Sequence, residues 1–291
     1  MADRMEGSGE TMRIENVPER AIPRSASQLK TIAKYELTNY LRSRRFYVLL
    51  AITLIISGLL TAVVAYYRPS GFLSSPLGFY SSWWGLAVTY ILILSGIFFG
   101  GDAISGEFQN KTGYFLVVNP VKRSTIYAGK WAAAFIASLA VFGTFTAVTV
   151  ANGVYYFGLD VPYQFGLSLA FSVLYLISIL GVTFFFSSIF KSGSISILVT
   201  AILFLFALPL TQSLVSNLAQ MEPWFLITYG AEIIGNVLKD PYPAHIVTVQ
   251  LGRVTFTTYN APILNGIAIM AAYFLVCAAL GMIIFDRRDF S

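Results

Sequence analysis

Six runs of the sequence, roughly 46–67, 79–101, 131–157, 165–190, 194–216 and 262–285, contain no Asp, Glu, Lys or Arg. A hydrocarbon core about 30 Å thick takes about 20 apolar residues per helical crossing, and every run reaches that length. Each reads as a membrane-spanning helix. Within a bilayer the backbone N–H and C=O groups find no water, so a helix that satisfies its own hydrogen bonds is the fold such segments adopt. Composition agrees: 56% of the 291 residues are hydrophobic and 11% are charged, whereas a soluble domain carries about 25% charged residues to cover its surface. The expected fold class is all-α and integral to the membrane, with no room for a large soluble catalytic domain.

Cations set the orientation, because cytosolic segments are enriched in Lys and Arg. With the N-terminus inside, sixteen of the 19 Lys and Arg residues fall on the cytosolic side, and only Arg68, Lys239 and Arg253 fall outside. Both termini are expected in the cytosol, and the chain in the cell membrane. The net charge of +5 then marks topology and contact with membrane lipid, and no nucleic-acid partner is expected. Residues 1–24, with Gly7, Ser8, Gly9, Pro18 and Pro23, read as a flexible cytosolic tail without a secretory signal. Over 25–45, Leu29, Ile32, Ala33, Leu37, Tyr40 and Leu41 recur every three or four residues beside Lys30, Lys34, Arg42, Arg44 and Arg45. That spacing predicts an amphipathic helix lying along the inner membrane surface, with a solvated juxtamembrane helix as the alternative. Residues 286–291 form the cytosolic C-terminus.

The outer segment 217–261 is long enough to act as a lid or gate. Pro223 is placed to open a helix in which Trp224, Phe225, Ile227, Ile233, Ile234, Val237 and Leu238 dip into the membrane interface, and Asp240, Pro241 and Pro243 end it. Val247, Val249 and Leu251, then Val254 and Phe256, alternate about Gly252 and Arg253. This predicts a small hairpin with a two-residue turn, or else an irregular loop.

Catalysis by the chain itself finds no support. His245 is the lone histidine and sits in the outer segment, Asp102 lies at a membrane edge with no second Asp in any run, and Cys277 is the lone cysteine. Gly129 and Lys130 are followed by Trp131, not by Ser or Thr, so they do not end a phosphate-binding loop. No catalytic, cofactor-binding or metal-binding residues are expected. Charge-free spans also disfavour an ion-coupled carrier, which needs ionisable groups within the membrane.

The inner loop is more informative. Asp102 and Glu107 are followed by Thr112 and Pro120 at steps of five and eight residues, then by Val121, Lys122, Arg123, Ile126, Gly129 and Lys130. Together with Lys34-Tyr35-Glu36, the stretch Leu41 to Phe46 and the stretch Phe285 to Asp289, this series resembles the permease subunits of type-2 ATP-binding cassette (ABC) transporters over nearly the whole chain. Phe108 departs where a basic residue is common, and Lys111 where a glycine is common. The resemblance implies a connecting helix carrying Glu36, Arg42, Arg44 and Arg45. It also implies a coupling helix at about 105–118 that seats on a partner ATPase, with Asp102, Glu107, Phe108, Lys111, Thr112, Tyr114 and Pro120 at the contact and Lys191 in a second, smaller one. Two ATPase subunits would bind ATP and Mg, and a second permease copy would complete an exporter. The residues themselves allow a stiff helix from Ser105 to Val118, with Glu107 and Lys111 spaced for an i, i+4 pair; a helix that merely caps the bundle stays open. So does a non-transporting membrane anchor or mechanotransmission subunit for a cytosolic ATPase.

The orientation has a direct test. In a Cys277-free background, single cysteines at Ser8 and Lys122 should resist an impermeant thiol reagent added to intact cells while one at Lys239 reacts. Labelling at Ser8 would reverse the assignment.

Overall fold

The computed structural model describes residues 25–109, 121–251 and 254–288. The expected tail over 1–24 and the segment 110–120 lie outside the described residues.

Helix α1 covers Ser25–Arg42 and α2 covers Arg44–Tyr67, with Ser43 at the corner between them. The Ser43 hydroxyl accepts from the Phe46 N–H at 3.3 Å and donates to the Tyr40 carbonyl at 2.6 Å. One side chain thus satisfies a free donor at the start of α2, and Ser43 closes the end of α1 through both its N–H and its hydroxyl on the Tyr40 carbonyl. A short α3 (Ser70–Leu73) leads to α4 (Pro76–Gly100), which starts on a Ser75 cap with Pro76 in its first turn. There follow α5 (Ser105–Gln109), α6 (Arg123–Phe157), α7 (Tyr163–Ile189), α8 (Gly193–Ile202), α9 (Leu208–Asn217), α10 (Ile227–Ala231), α11 (Ile233–Asn236) and, last, α12 (Ile263–Arg287). Six helical segments are long and apolar enough to cross a membrane: α2, α4 with α5, α6, α7, α8 with α9, and α12. The chain is an all-α, multi-pass membrane bundle. Its basic end carries α1, α5 and the α7–α8 turn; its opposite end carries the segment between α9 and α12.

Helix α6 begins eight residues below the charge-free run that starts at 131, so Lys130 stands inside a spanning helix. The charge-free run itself begins at the next residue, Trp131. The fifth span, expected over 194–216, runs over Gly193–Asn217 and contains an irregular turn. Between α8 and α9, Leu203–Ala207 forms a π-turn, in which the Leu208 N–H reaches back to the Leu203 carbonyl. Pro209 follows directly; it has no N–H and its ring crowds the preceding turn, and a wider turn relieves that conflict within an apolar helix.

Helix α4 is the centre of the bundle: 72% of its apolar stretch is buried, against 11% for α12. Two glycines one turn apart let it approach α7. A Cβ on Gly96 would collide with Ile179, and one on Gly100 with Thr183. Lipid tails are as apolar as leucine, so helices in a membrane associate through such close packing more than through a hydrophobic drive. Trp84 packs between α6 and α7, stacked on Phe145 at 5.4 Å between ring centres and edge-on to Phe165 at 4.9 Å.

Strands β1 (Ile246–Leu251) and β2 (Val254–Tyr259) pair antiparallel with Leu251 opposite Val254. This is the hairpin the alternation predicts, and its register leaves two residues for the connection. The helix expected to open at Pro223 opens at Ile227 instead, and Glu232 divides it into α10 and α11. Ile227, Ile233, Ile234, Val237 and Leu238 are buried. They pack within the protein, with α10 against α12 and α11 against α7; Trp224 and Phe225 remain exposed.

The α4–α7 contact predicts that Gly100→Leu lowers the midpoint of thermal unfolding in detergent. Overpacking of this kind costs about 1–3 kcal/mol or more. Gly143→Leu, at a position with nothing within 4 Å of an added Cβ, should leave the midpoint unchanged.

Candidate functional site

Lys130 is 4% exposed. An ammonium held out of water needs compensating charge, and two carboxylates supply it: Lys130 Nζ donates to Glu36 Oε1 at 2.6 Å and to Glu107 Oε1 at 2.7 Å. The three residues stand on α1, α5 and α6, so one cation joins three elements of the basic end. The preceding residue makes this possible. A Cβ on Gly129 would lie 2.8 Å from Ile32 Cγ2, so glycine lets α1 come close enough for Glu36 to reach Lys130.

A second ion pair, Arg45 with Asp102, ties the start of α2 to the residues just past α4. Between the two lies Tyr40, whose hydroxyl donates to the Phe99 carbonyl at 2.9 Å, one of the acceptors left free at the end of α4. Burial, followed by the carboxylates of Glu36 and Asp102, pushes the Tyr40 phenol well above its ordinary value, so it remains a neutral donor. A polar cavity of about 260 Å³ opens among Glu36, Tyr40, Arg45, Asp102 and Glu107.

Helix α5 is fixed from its other side as well. The buried Ser187 hydroxyl accepts from the N–H groups of Ile104 and Ser105 at 2.9 and 3.0 Å, capping the first turn of α5 from α7. Gln109 Oε1 accepts from the Gly193 N–H at 2.8 Å, which ties the far end of α5 to the start of α8. Phe108 lies edge-on to Phe285, 6.4 Å between ring centres, with the Arg288 guanidinium carbon 4.2 Å from its ring centre. Arg288 in turn donates to the Ser188 carbonyl at 2.6 Å and to that of Phe190 at 3.2 Å, and Arg123 donates to the carbonyls of Phe285, Asp286 and Arg288. These arginines cap the C-terminal carbonyls of α7 and α12 and close the bundle beside α5.

The structure therefore brings Glu36, Arg45, Asp102, Glu107 and Phe108 together. Arg42 and Arg44 are exposed at the α1–α2 corner, and Lys191 is exposed in the α7–α8 turn. Lys111, Thr112, Tyr114 and Pro120 lie outside the described residues. Glu107, expected to meet Lys111, a donor of the partner or a group of the connecting helix, accepts from Lys130 Nζ. Phe108, expected to fill a groove of a partner, packs on its own chain. Lys130 itself escaped the sequence reading as a site residue. Its signal was a cation placed directly below a charge-free run and behind a glycine. Among the described residues no group of three or more His, Cys, Asp or Glu side chains is gathered to hold a metal ion.

A family profile described as ABC-2 family transporter protein matches residues 30–290, which takes in all but the first five residues of the elements named above. The chain belongs to the ABC-2 transporter family. It is a permease component of an ABC transporter, a membrane subunit of a kind that works with ATPase subunits and is typically not itself catalytic. A search of curated proteins finds no match to it.

Within this permease the Lys130 triad predicts an asymmetry of mutation. Lys130→Met leaves two carboxylates facing each other, and breaking a buried pair costs about 3–5 kcal/mol. Its unfolding midpoint in detergent should drop well below that of the parent. The triple variant Glu36→Gln, Glu107→Gln, Lys130→Met, which leaves no charge unpaired, should recover most of the loss.

Proposed function

We infer that the permease forms the substrate path of an ABC exporter in the cell membrane, with its basic end in the cytosol. Two ATPase subunits, which bind ATP and Mg, would dock on that end, and a second permease copy would complete the path. The observation that carries this reading is the threefold fixing of α5, by Ser187, by Lys130 and through Gln109 to Gly193. A force applied to α5 moves α1, α6 and the start of α8 with it. Helix α6 has 35 residues, about 50 Å at 1.5 Å per residue, so a displacement begun at the basic end is carried to the opposite end. On this reading Asp102, Glu107 and Lys191, with Lys111, Thr112, Tyr114 and Pro120, line the face offered to the ATPase. Glu36 and Arg45 pass the motion on to the amphipathic helix.

The outward faces support a second copy. Ile195, Leu198, Ile202, Phe206, Leu210 and Leu214 are all exposed and recur every three or four residues along α8 and α9. Such a stripe suits a neighbouring helix or lipid.

The test is co-reconstitution of the permease and its ATPase in liposomes. The permease should stimulate ATP hydrolysis in step with transport. In the triple-neutral variant, stable but without the ionic link, both should fall about tenfold or more. Hydrolysis stimulated with no solute moved would make the chain an anchor or force-transmitting subunit. Transport that recovers together with stability would reduce the triad to a structural role.

A further inference from the structure

At the end opposite the ion network, a cavity of about 380 Å³ lies between the last turns of α2 and α6, lined by Thr61, Ala65, Arg68, Asn152, Tyr155 and Tyr156. Its floor is held in place. Asn152 Nδ2 donates to the Thr61 hydroxyl at 3.2 Å and to the Val148 carbonyl at 2.9 Å, and the Thr61 hydroxyl donates to the Ser57 carbonyl at 2.8 Å. This bridge sets the distance between the two helices and uses both amide hydrogens. The rim carries a cation. Among the described residues the Arg68 guanidinium forms no ion pair, and no Asp or Glu lines the cavity.

Arg68 also holds an unfavourable backbone. It closes α2 in the left-handed conformation, φ 44° and ψ 54°, with its N–H on the Val64 carbonyl. Glycine ordinarily takes that position, because a Cβ is crowded there. The level of the cavity decides what meets this cation. Tyr66, Tyr67, Tyr155 and Tyr163 are all exposed at the same end, as in the aromatic belt that marks the border between headgroups and hydrocarbon. Thr61 lies seven residues before Arg68, about 10 Å along the axis at 1.5 Å per residue, so the cavity runs from that border into the hydrocarbon layer. Below it Gly58 and Leu54 continue the same face of α2 at helical spacing, both exposed, with nothing within 4 Å of a Cβ added at Gly58. A soluble anion has no use for such a track, and an acyl chain fills it.

We propose that this cavity holds a phospholipid of the leaflet at that end, its phosphodiester on the Arg68 guanidinium and an acyl chain along Gly58 and Leu54. A guanidinium donates as a planar fork that matches two phosphate oxygens. The Tyr155 phenol lines the same cavity and adds a donor. Ala65, too small to fill the space, leaves it open. A lipid seated there joins α2, of whose apolar stretch only 22% is buried, to α6 at that end. The site rests on the spans lying in a membrane, and is independent of the direction of transport and of the ATPase contact.

Photo-crosslinking tests this on the purified permease in an uncharged maltoside detergent, with dioleoyl phosphatidylglycerol carrying a diazirine on its headgroup as the probe. Adducts should map to residues 61–68 and 152–156, and unlabelled phosphatidylglycerol should suppress them while dioleoylglycerol and inorganic phosphate do not. Arg68→Gly should cut these adducts about tenfold or more, the value of a charge-assisted hydrogen bond. Because glycine suits the left-handed conformation, that variant should unfold in lipid-free detergent no earlier than the parent. Ala65→Trp, at an exposed position, keeps the arginine and fills the cavity, and should reduce the same adducts. Four results would each overturn the proposal: no adduct at these segments in the folded parent, equal suppression by dioleoylglycerol, displacement by inorganic phosphate, or unchanged adducts in either variant.

Discussion

A lysine ammonium buried inside a membrane protein cannot stand alone, and the basic end of this permease is arranged around that constraint. Lys130 needs two carboxylates, and the two it finds lie far away in sequence, 94 residues for Glu36 and 23 for Glu107. Holding both requires α1 to lie against α6 and α5 to turn back toward it. Gly129 removes the side chain that would keep α1 away, and Ser43 turns the chain so that α2 starts immediately after α1 ends. The ion triad specifies a position more than it adds stability, since replacing a buried triad by apolar residues is often neutral or favourable. What it supplies is a linkage with one geometry.

The bundle above obeys a different rule. Its helices pack by contact, and the contact depends on glycine facing bulk. Gly96 and Gly100 meet Ile179 and Thr183, and Gly266 on α12 faces Ile233 on α11 with no space for a side chain. Buried hydroxyls make local bonds within this packing. Ser178 donates to the Met270 carbonyl of α12 at 2.7 Å, and Thr149 donates to Phe145 in its own helix at 2.9 Å. Helices α4 and α7 are the most enclosed spans of this packing, and α2, the α8–α9 span and α12 are the more exposed ones.

Much of this was legible in the sequence, for identifiable reasons. Lengths of charge-free chain report spans, because the bilayer imposes both the length and the exclusion of charge. Period-two alternation reported the hairpin, and a cluster of apolar residues at helical spacing reported α1. Which neighbours meet was far less legible. An apolar stretch such as Ile227 to Leu238 looks the same whether it faces lipid or the inside of the bundle, because both are apolar. Glu107 had a cation four residues ahead and another 23 residues ahead, and helical spacing favoured the first. The three-dimensional path of α6 supplied the second. Pro209 signalled an irregular turn in the fifth span, but a run judged on charge and length alone passes over it. Of the site residues, Asp102, Glu107 and Phe108 were named for a partner's surface, and Glu36 and Arg45 for the connecting helix. The structure places them first in contacts within the chain.

That placement bears on how a permease can respond to an ATPase at all. Were Glu107 and Phe108 free side chains on a protruding helix, a partner could bind them without moving anything else. Because Glu107 holds Lys130 and Phe108 lies against Phe285 and Arg288, displacing α5 strains α6 and the end of α12 together. Ser187 and Gly193 add α7 and α8 to the same cluster. Four helices therefore meet at one small element, α1 joins them through Lys130, and a buried ion triad lies at the centre. A packed, paired junction of this kind has distinct alternative arrangements in place of a continuous range, which is what converts a push at one end of a bundle into a change of state at the other.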